Sequence, residues 1–163
     1  MKIGSIIAAF VAALAITTTA APTADNFHSV TNDWWNGNFT NVVELADARL
    51  AADADDLVGA HLKAEWAICF GGRGEITNEV SRMLRASDAV SEPAFTNEYG
   101  AVRSAWGYFL TDAVPALTDA QLADQHAKSA QPHRRMVMER ILRVIDECGL
   151  WGAQGGEGGN GGE

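Results

Sequence analysis

The sequence predicts an all-α fold, and three observations carry that expectation. Between its two ends the chain is rich in Ala and poor in Pro, with only four prolines in 163 residues. Its apolar residues recur at spacings of three and four, the period of a helix, rather than at the spacing of two that marks a strand. Turn-forming clusters interrupt the pattern at Asn36-Gly37-Asn38, Asp53-Ala54-Asp55-Asp56 and Gly71-Gly72-Arg73-Gly74.

Each element follows from the same reasoning. Phe27, Val30 and Trp34 lie at i, i+3 and i+7 and mark a first helix that stops at Asn36. The second runs from Phe39 to Ala52, with Val42, Val43, Ala46, Leu50 and the stem of Arg49 inward. Asp53 to Asp56 ends that helix and caps the third, Leu57 to Phe70, which is apolar over most of its circumference and so belongs at the centre. A fourth helix, Glu75 to Ala86, turns Ile76, Val80, Met83 and Leu84 to one side. A fifth, Phe95 to Leu110, carries the stripe Phe95, Tyr99, Val102, Trp106 and Phe109/Leu110. Thr118 with Gln121 has the form of a capping box and opens a short helix to Ala130. Pro132 suits a first helical position, and Met136 to Cys148 support a last helix closed by Gly149.

The two ends are read differently. Lys2, the apolar run Ile3 to Ile16 and the small residues Thr17 to Ala21 have the layout of a secretory signal peptide, expected to be removed over residues 1–20. The run is short for a retained anchor, so an exported chain, secreted or periplasmic, with no membrane insertion after cleavage is expected. Gly149 to Glu163 holds half of the 16 glycines and lacks the apolar content to offset its ordering entropy. Residues 152–163 therefore read as a disordered Gly-rich tail, which leaves 21–151 as one all-α domain.

Charge narrows the classes of partner. With 12 Lys+Arg against 21 Asp+Glu the net charge is −9. Such a balance repels phosphate, so nucleic acid is not an expected partner. Arg134, Arg135, Arg140 and Arg143 give the last helix a basic side, read as a solvated face paired with Glu139 and Asp146.

A shift of 34 residues superposes Gly37 on Gly71, Val42 on Ile76, Ala46 on Val80 and Leu50 on Leu84. The segment Gly37 to Asp56 resembles the second helix and closing loop of a tetratricopeptide repeat, and Leu57 to Gly71 resembles the first helix of the next, with Ala64 at the family's small position. The resemblance covers about a third of the chain. Ala54 stands where the family has proline, Val42 where it has a central small residue, and Leu84 to Trp151 aligns with no further repeat. It implies about six to seven helices stacked as antiparallel hairpins, with a concave face for a protein or peptide partner and no catalytic residues. A compact bundle without a groove is the alternative.

No residue set identifies a reaction. Gly-x-Ser-x-Gly, His-Glu-x-x-His and the Lys-Ser/Thr of a phosphate loop are absent from the sequence, so neither an enzyme nor a cofactor is expected. His28, His61, His126 and His133 have no ligand spacing, and in the acidic loop Leu57 replaces a calcium ligand, which leaves a solvated helix cap. Cys69 and Cys148 are either a disulfide, which export would permit, or two buried thiols.

Glu65, beside Trp66 on an apolar helix, is the ionisable residue expected to be partly buried, as a paired structural carboxylate. Trp34 and Trp35 point about 100° apart on a helix, so one of them is expected near the surface, where with Phe39 it could anchor a partner or a sugar ring. The ordinary alternative makes both core-edge residues. Trp34, Trp35, Phe39, Glu65 and Trp66 are the candidate binding residues on helices one to four. In a second class of function, a small apolar ligand sits in a bundle pocket lined by Trp34, Trp35, Trp66 and Trp106. An exported enzyme without a recognisable motif is a third.

Overall fold

The computed structural model describes residues 23–108, 111, 112, 114–128 and 132–152, without the side chains of residues 101, 105, 122, 125–128 and 132–138. The expected leader and the Gly-rich tail beyond Gly152 lie outside these residues, as do Phe109, Leu110 and the side chains of Met136, Val137 and Met138. Every regular element among the described residues is helical: α1 Phe27–Asn36, α2 Phe39–Ala52, α3 Leu57–Phe70, α4 Arg73–Asp88, α5 Pro93–Tyr108, the single turn α6 Val114–Ala116, α7 Asp119–Lys128 and α8 Pro132–Glu147. None of them is long and apolar enough to cross a membrane.

Local chemistry sets the boundaries. The Asn26 side chain caps α1 by accepting from the Ser29 amide at 2.9 Å, and Gly37 ends it in the left-handed region at φ 80°. That conformation costs a residue with a Cβ roughly 1 kcal/mol, which is why glycine stands there. Asp56 caps α3 by accepting from the Gly59 amide at 2.6 Å. Thr118 and Gln121 exchange the two bonds of the expected capping box, at 2.8 and 3.2 Å, and start α7. Helix α4 begins earlier than its apolar pattern implies, because only Gly71 and Gly72 are needed for the turn; Arg73 is already helical, and reaches the Leu117 carbonyl ahead of α7.

Helix α3 sits at the centre. Leu57, Val58, Ala60, Leu62, Ala64, Ala67, Ile68 and Cys69 are all buried. It packs most extensively on α2 and α4, its neighbours in the chain. Gly59 permits the close approach of α2: a Cβ there would stand 3.2 Å from the Ala46 carbonyl oxygen and 3.1 Å from Leu50. Val42 and Ala46 of α2, with Ile76, Val80 and Met83 of α4, fill the two interfaces.

The last helix closes the structure. Ile141, Leu142 and Ile145 are buried, and α8 contacts α1, α3 and α5. In a regular array each hairpin touches only its neighbours; here α8 returns to the first helix. The segment after it is also fastened. Trp151 is buried edge-on against Phe27, its Nε1 donates to Asp25 at 2.9 Å, and its carbonyl accepts from Arg49 at 2.6 Å.

Candidate functional site

The apolar circumference of α3 has one solvent-facing stripe, Lys63, Trp66 and Phe70, spaced i, i+3 and i+7. Lys63 is the only long cationic side chain on the helix, and its ammonium must reach water, which fixes the side of the helix that faces out. Phe70 follows it round and is 40% exposed, one of two large hydrophobic residues left at the described surface.

Opposite this stripe runs one from α2. Phe39 lies 5.0 Å from Phe70, ring to ring, and Asp47 pairs with Lys63 at 2.7 Å. Those two contacts fix an antiparallel register that sets Val43 opposite Trp66. The rings form a chain: Trp34 meets Phe39 edge-on at 5.1 Å, Phe39 meets Phe70, and Phe70 meets Trp66 at 6.1 Å. Lys63 then lies over the Trp66 ring at 5.0 Å. A rigid aromatic path therefore leads from the core to solvent. Ordered rings of this kind present contact area with little side-chain entropy left to lose on binding.

The expected binding residues divide. Phe39 and Trp66 are half-buried members of the strip. Trp34 is 2% exposed and anchors the strip from beneath, so it has no face for a partner. Replacing such a buried ring by Ala costs about 3–5 kcal/mol, a fold-level effect. Trp35 points elsewhere, half-buried, donating from Nε1 to Glu139 of α8 at 2.8 Å. Glu65 is buried on the inner side of α3 and forms no part of the strip. Phe70, which belongs by sequence to the apolar circumference of α3, stands at the exposed end of the strip.

Other groups are tied up structurally. No disulfide joins Cys69, which is buried, to Cys148, which is half-buried. Burial, followed by the carboxylates of Glu92, Glu147 and Glu98, pushes the Cys148 thiol up and keeps it protonated. His61 is fully buried. Its Nδ1–H donates to the Leu57 carbonyl at 2.9 Å, and burial lowers its pKa to about 4 against that bond. The acidic loop is engaged by the protein: Asp53 accepts from the Asp55 amide, Asp55 pairs with Arg85, and Asp56 with Arg49. Among the described residues, no group of three or more His, Cys, Asp or Glu stands close enough to hold a metal ion.

Between α5 and α8 a cavity of about 20 Å³ is lined by Phe95, Tyr99, Val102, Ile141 and Val144. That is room for a single water; an open groove of about 400 Å³ beside it is lined largely by charged residues, Glu98, Arg140, Arg143 and Glu147, and does not suit a small apolar ligand. Trp34, Trp35 and Trp66 line no part of either. The chain matches no protein-family model, no curated protein and no solved structure.

Proposed function

We propose that this chain is an exported, non-catalytic module of the helical-hairpin type that binds a protein or peptide partner. The partly exposed apolar strip of Phe39, Val43, Trp66 and Phe70 carries the reading. Its walls are two well-packed antiparallel helices, its centre is apolar, and its far end is an ion pair that sets a polar rim. This is the anatomy of a small recognition patch, a central apolar contact with charges at its edge. The leader-like residues 1–20 support export, and the 34-residue self-similarity supports the hairpin kinship. Because α8 lies across α1, α3 and α5, the partner surface is assigned to the outer strip between α2 and α3 rather than to a concave face.

The test is capture of a partner from the exported fraction by the wild-type domain and by a Trp66→Ala/Phe70→Ala variant shown by circular dichroism to remain helical. Retention by the wild type and loss by the variant is the expected result. A partner held equally by both places the surface elsewhere. Changing Trp34 is unsuitable for this purpose, since its ring belongs to the core.

A further inference from the structure

We propose that Asn38 is a site of N-linked glycosylation, its side-chain amide taking an oligosaccharide from a polyprenyl-pyrophosphate donor in the compartment to which the chain is exported. The proposal rests on the export reading of residues 1–20 and on the triad Asn38-Phe39-Thr40. There an asparagine is followed two residues later by threonine, with no proline between, which is the acceptor pattern of this modification.

Of the eight asparagines in the sequence, Asn38 is the one with Ser or Thr two residues on. Such a triplet arises easily by chance, so its place in the fold decides whether a glycan fits. Gly37 ends α1 at φ 80°, and Asn38, at φ −79° and ψ 50°, is the last residue before α2. Asn36, Gly37, Asn38 and Thr40 are all exposed. Phe39, between the two polar residues of the triad, turns its ring onto Trp34 and Phe70 at 5.1 and 5.0 Å, which leaves Asn38 and Thr40 toward water. The turn beneath them is fixed by the Asn38 backbone N–H, which donates to the Asp33 carbonyl at 2.9 Å. An acceptor on an exposed turn of an exported chain is the surroundings a bulky, hydrated sugar requires.

The Asn38 side chain is also unused by its helix. Asn26 caps α1 through its side-chain oxygen, whereas Asn38, in the same position before α2, makes no side-chain cap bond. Its Nδ2 donates instead to Asp33 Oδ1 at 3.0 Å across the exposed turn. In the transfer, Nδ2 bonds to the anomeric carbon of the first sugar. The bond from that carbon to the pyrophosphate oxygen breaks, and its electron pair leaves with the pyrophosphate. One Nδ2 proton passes to a base of the transferring enzyme. The other N–H stays on the nitrogen as a donor, and no helix cap and no buried atom is disturbed.

The test begins with the intact mass of the chain recovered from its own exported fraction, before and after peptide N-glycosidase. The expected result is a mass above that of the polypeptide, removed by the enzyme, with position 38 then read as Asp by tandem mass spectrometry. The full chain is next secreted from a eukaryotic host as wild type, Asn38→Gln, Thr40→Val and Thr40→Ser. Wild type and Thr40→Ser are expected to carry the glycan, and the other two to lose it with unchanged circular dichroism. An exported chain with unmodified Asn38, or an enzyme-sensitive mass that persists in Thr40→Val, overturns the proposal and leaves export standing. Retention inside the host with residues 1–20 as they are, but secretion once a leader of established function replaces them, overturns the export reading and with it the setting this modification needs.

Discussion

Arg49 grips Asp56 in a two-point fork, Nε to Oδ1 at 2.7 Å and Nη2 to Oδ2 at 2.9 Å. Asp56 is at the same time the cap of α3, so the fork fixes the α2–α3 turn and with it the register of the two stripes that form the strip. The remaining donors of Arg49 reach Asp25 at 2.8 and 2.7 Å and the Trp151 carbonyl. One guanidinium thereby joins the chain before α1, the α2–α3 turn and the segment after α8. Burial works against its charge, yet the bonds and charges of Asp56 and Asp25 leave its pKa raised above the ordinary value.

Arg49→Met keeps the stem and removes the fork. Asp56 is then a buried carboxylate without its cation, and stability is expected to fall by about 3 kcal/mol, the usual scale for breaking a buried pair from one side. Asp25→Asn, at an exposed partner, is expected to cost under about 1 kcal/mol. Urea midpoints of the two variants check both values, and equal losses would show that the fork onto Asp56 is not the stronger half.

His61 predicts an acid sensitivity with a defined sign. Its folded pKa, about 4, is below the unfolded value of 6.5, so the unfolded chain binds the extra proton first. Stability is full above pH 6.5, declines as pH falls from 6.5 to about 4, and the His61 share is lost below that. A shift of this size corresponds to about 3 kcal/mol. Carboxylates titrate in the same window, so the His61 share is the difference in slope between wild type and His61→Leu. Parallel slopes would mean that the imidazole takes up its proton in the fold.

Beside His61 lies a pocket of unsatisfied polarity. Its Nε2 has no hydrogen-bond partner, and neither has the Tyr99 hydroxyl, whose ring stands edge-on to it at 5.9 Å. Burial raises the Tyr99 pKa against the opposing influence of the nearby Ser87 hydroxyl, which is itself without a partner in hydrogen-bond geometry. Tyr99→Phe removes an uncompensated buried hydroxyl, so it is expected to be neutral or stabilising by about 1 kcal/mol. A loss above about 1 kcal/mol on thermal unfolding would show that the hydroxyl has a partner in solution.

Gly59→Ala drives a methyl toward the Ala46 carbonyl and the Leu50 side chain, and is expected to cost about 1–3 kcal/mol by prising α2 from α3. The same variant should weaken any ligand of the strip, because Phe39 and Phe70 sit on the two helices being separated. Chemical denaturation and partner capture on the one variant check both effects.

The absence of a bridge between Cys69 and Cys148 predicts two titratable thiols in denaturant and a mass without the loss of two hydrogens. Burial keeps Cys69 unreactive until the chain unfolds. A mass lower by about 2 Da would reveal a bridge.

The seven longer helices to within a few residues, the capping box at Thr118 and the central place of α3 were legible in the sequence, because each depends on local spacing and capping chemistry, whereas the single turn α6 carries no such signal. Long-range closure was not. Arg49 was expected to turn its stem inward, but its partner Asp25 is 24 residues away and Trp151 lies 102 residues away, beyond any periodic signal. The candidate site was half legible for the same reason. Phe39 and Trp66 were recognisable as aromatic anchors, whereas the burial of Trp34 and the exposure of Phe70 depend on how α2 crosses α3. The bond from Trp35 to Glu139 depends on a helix that returns from the other end of the chain.

The most direct measurement places a photo-crosslinking residue at Phe70 and, as a control, at Tyr108, an exposed aromatic on α5 that is 67% accessible. Illumination with the captured partner is expected to give a covalent adduct from position 70 and little from position 108. Adducts from position 108 alone would contradict the assignment of the α2–α3 strip as the binding surface.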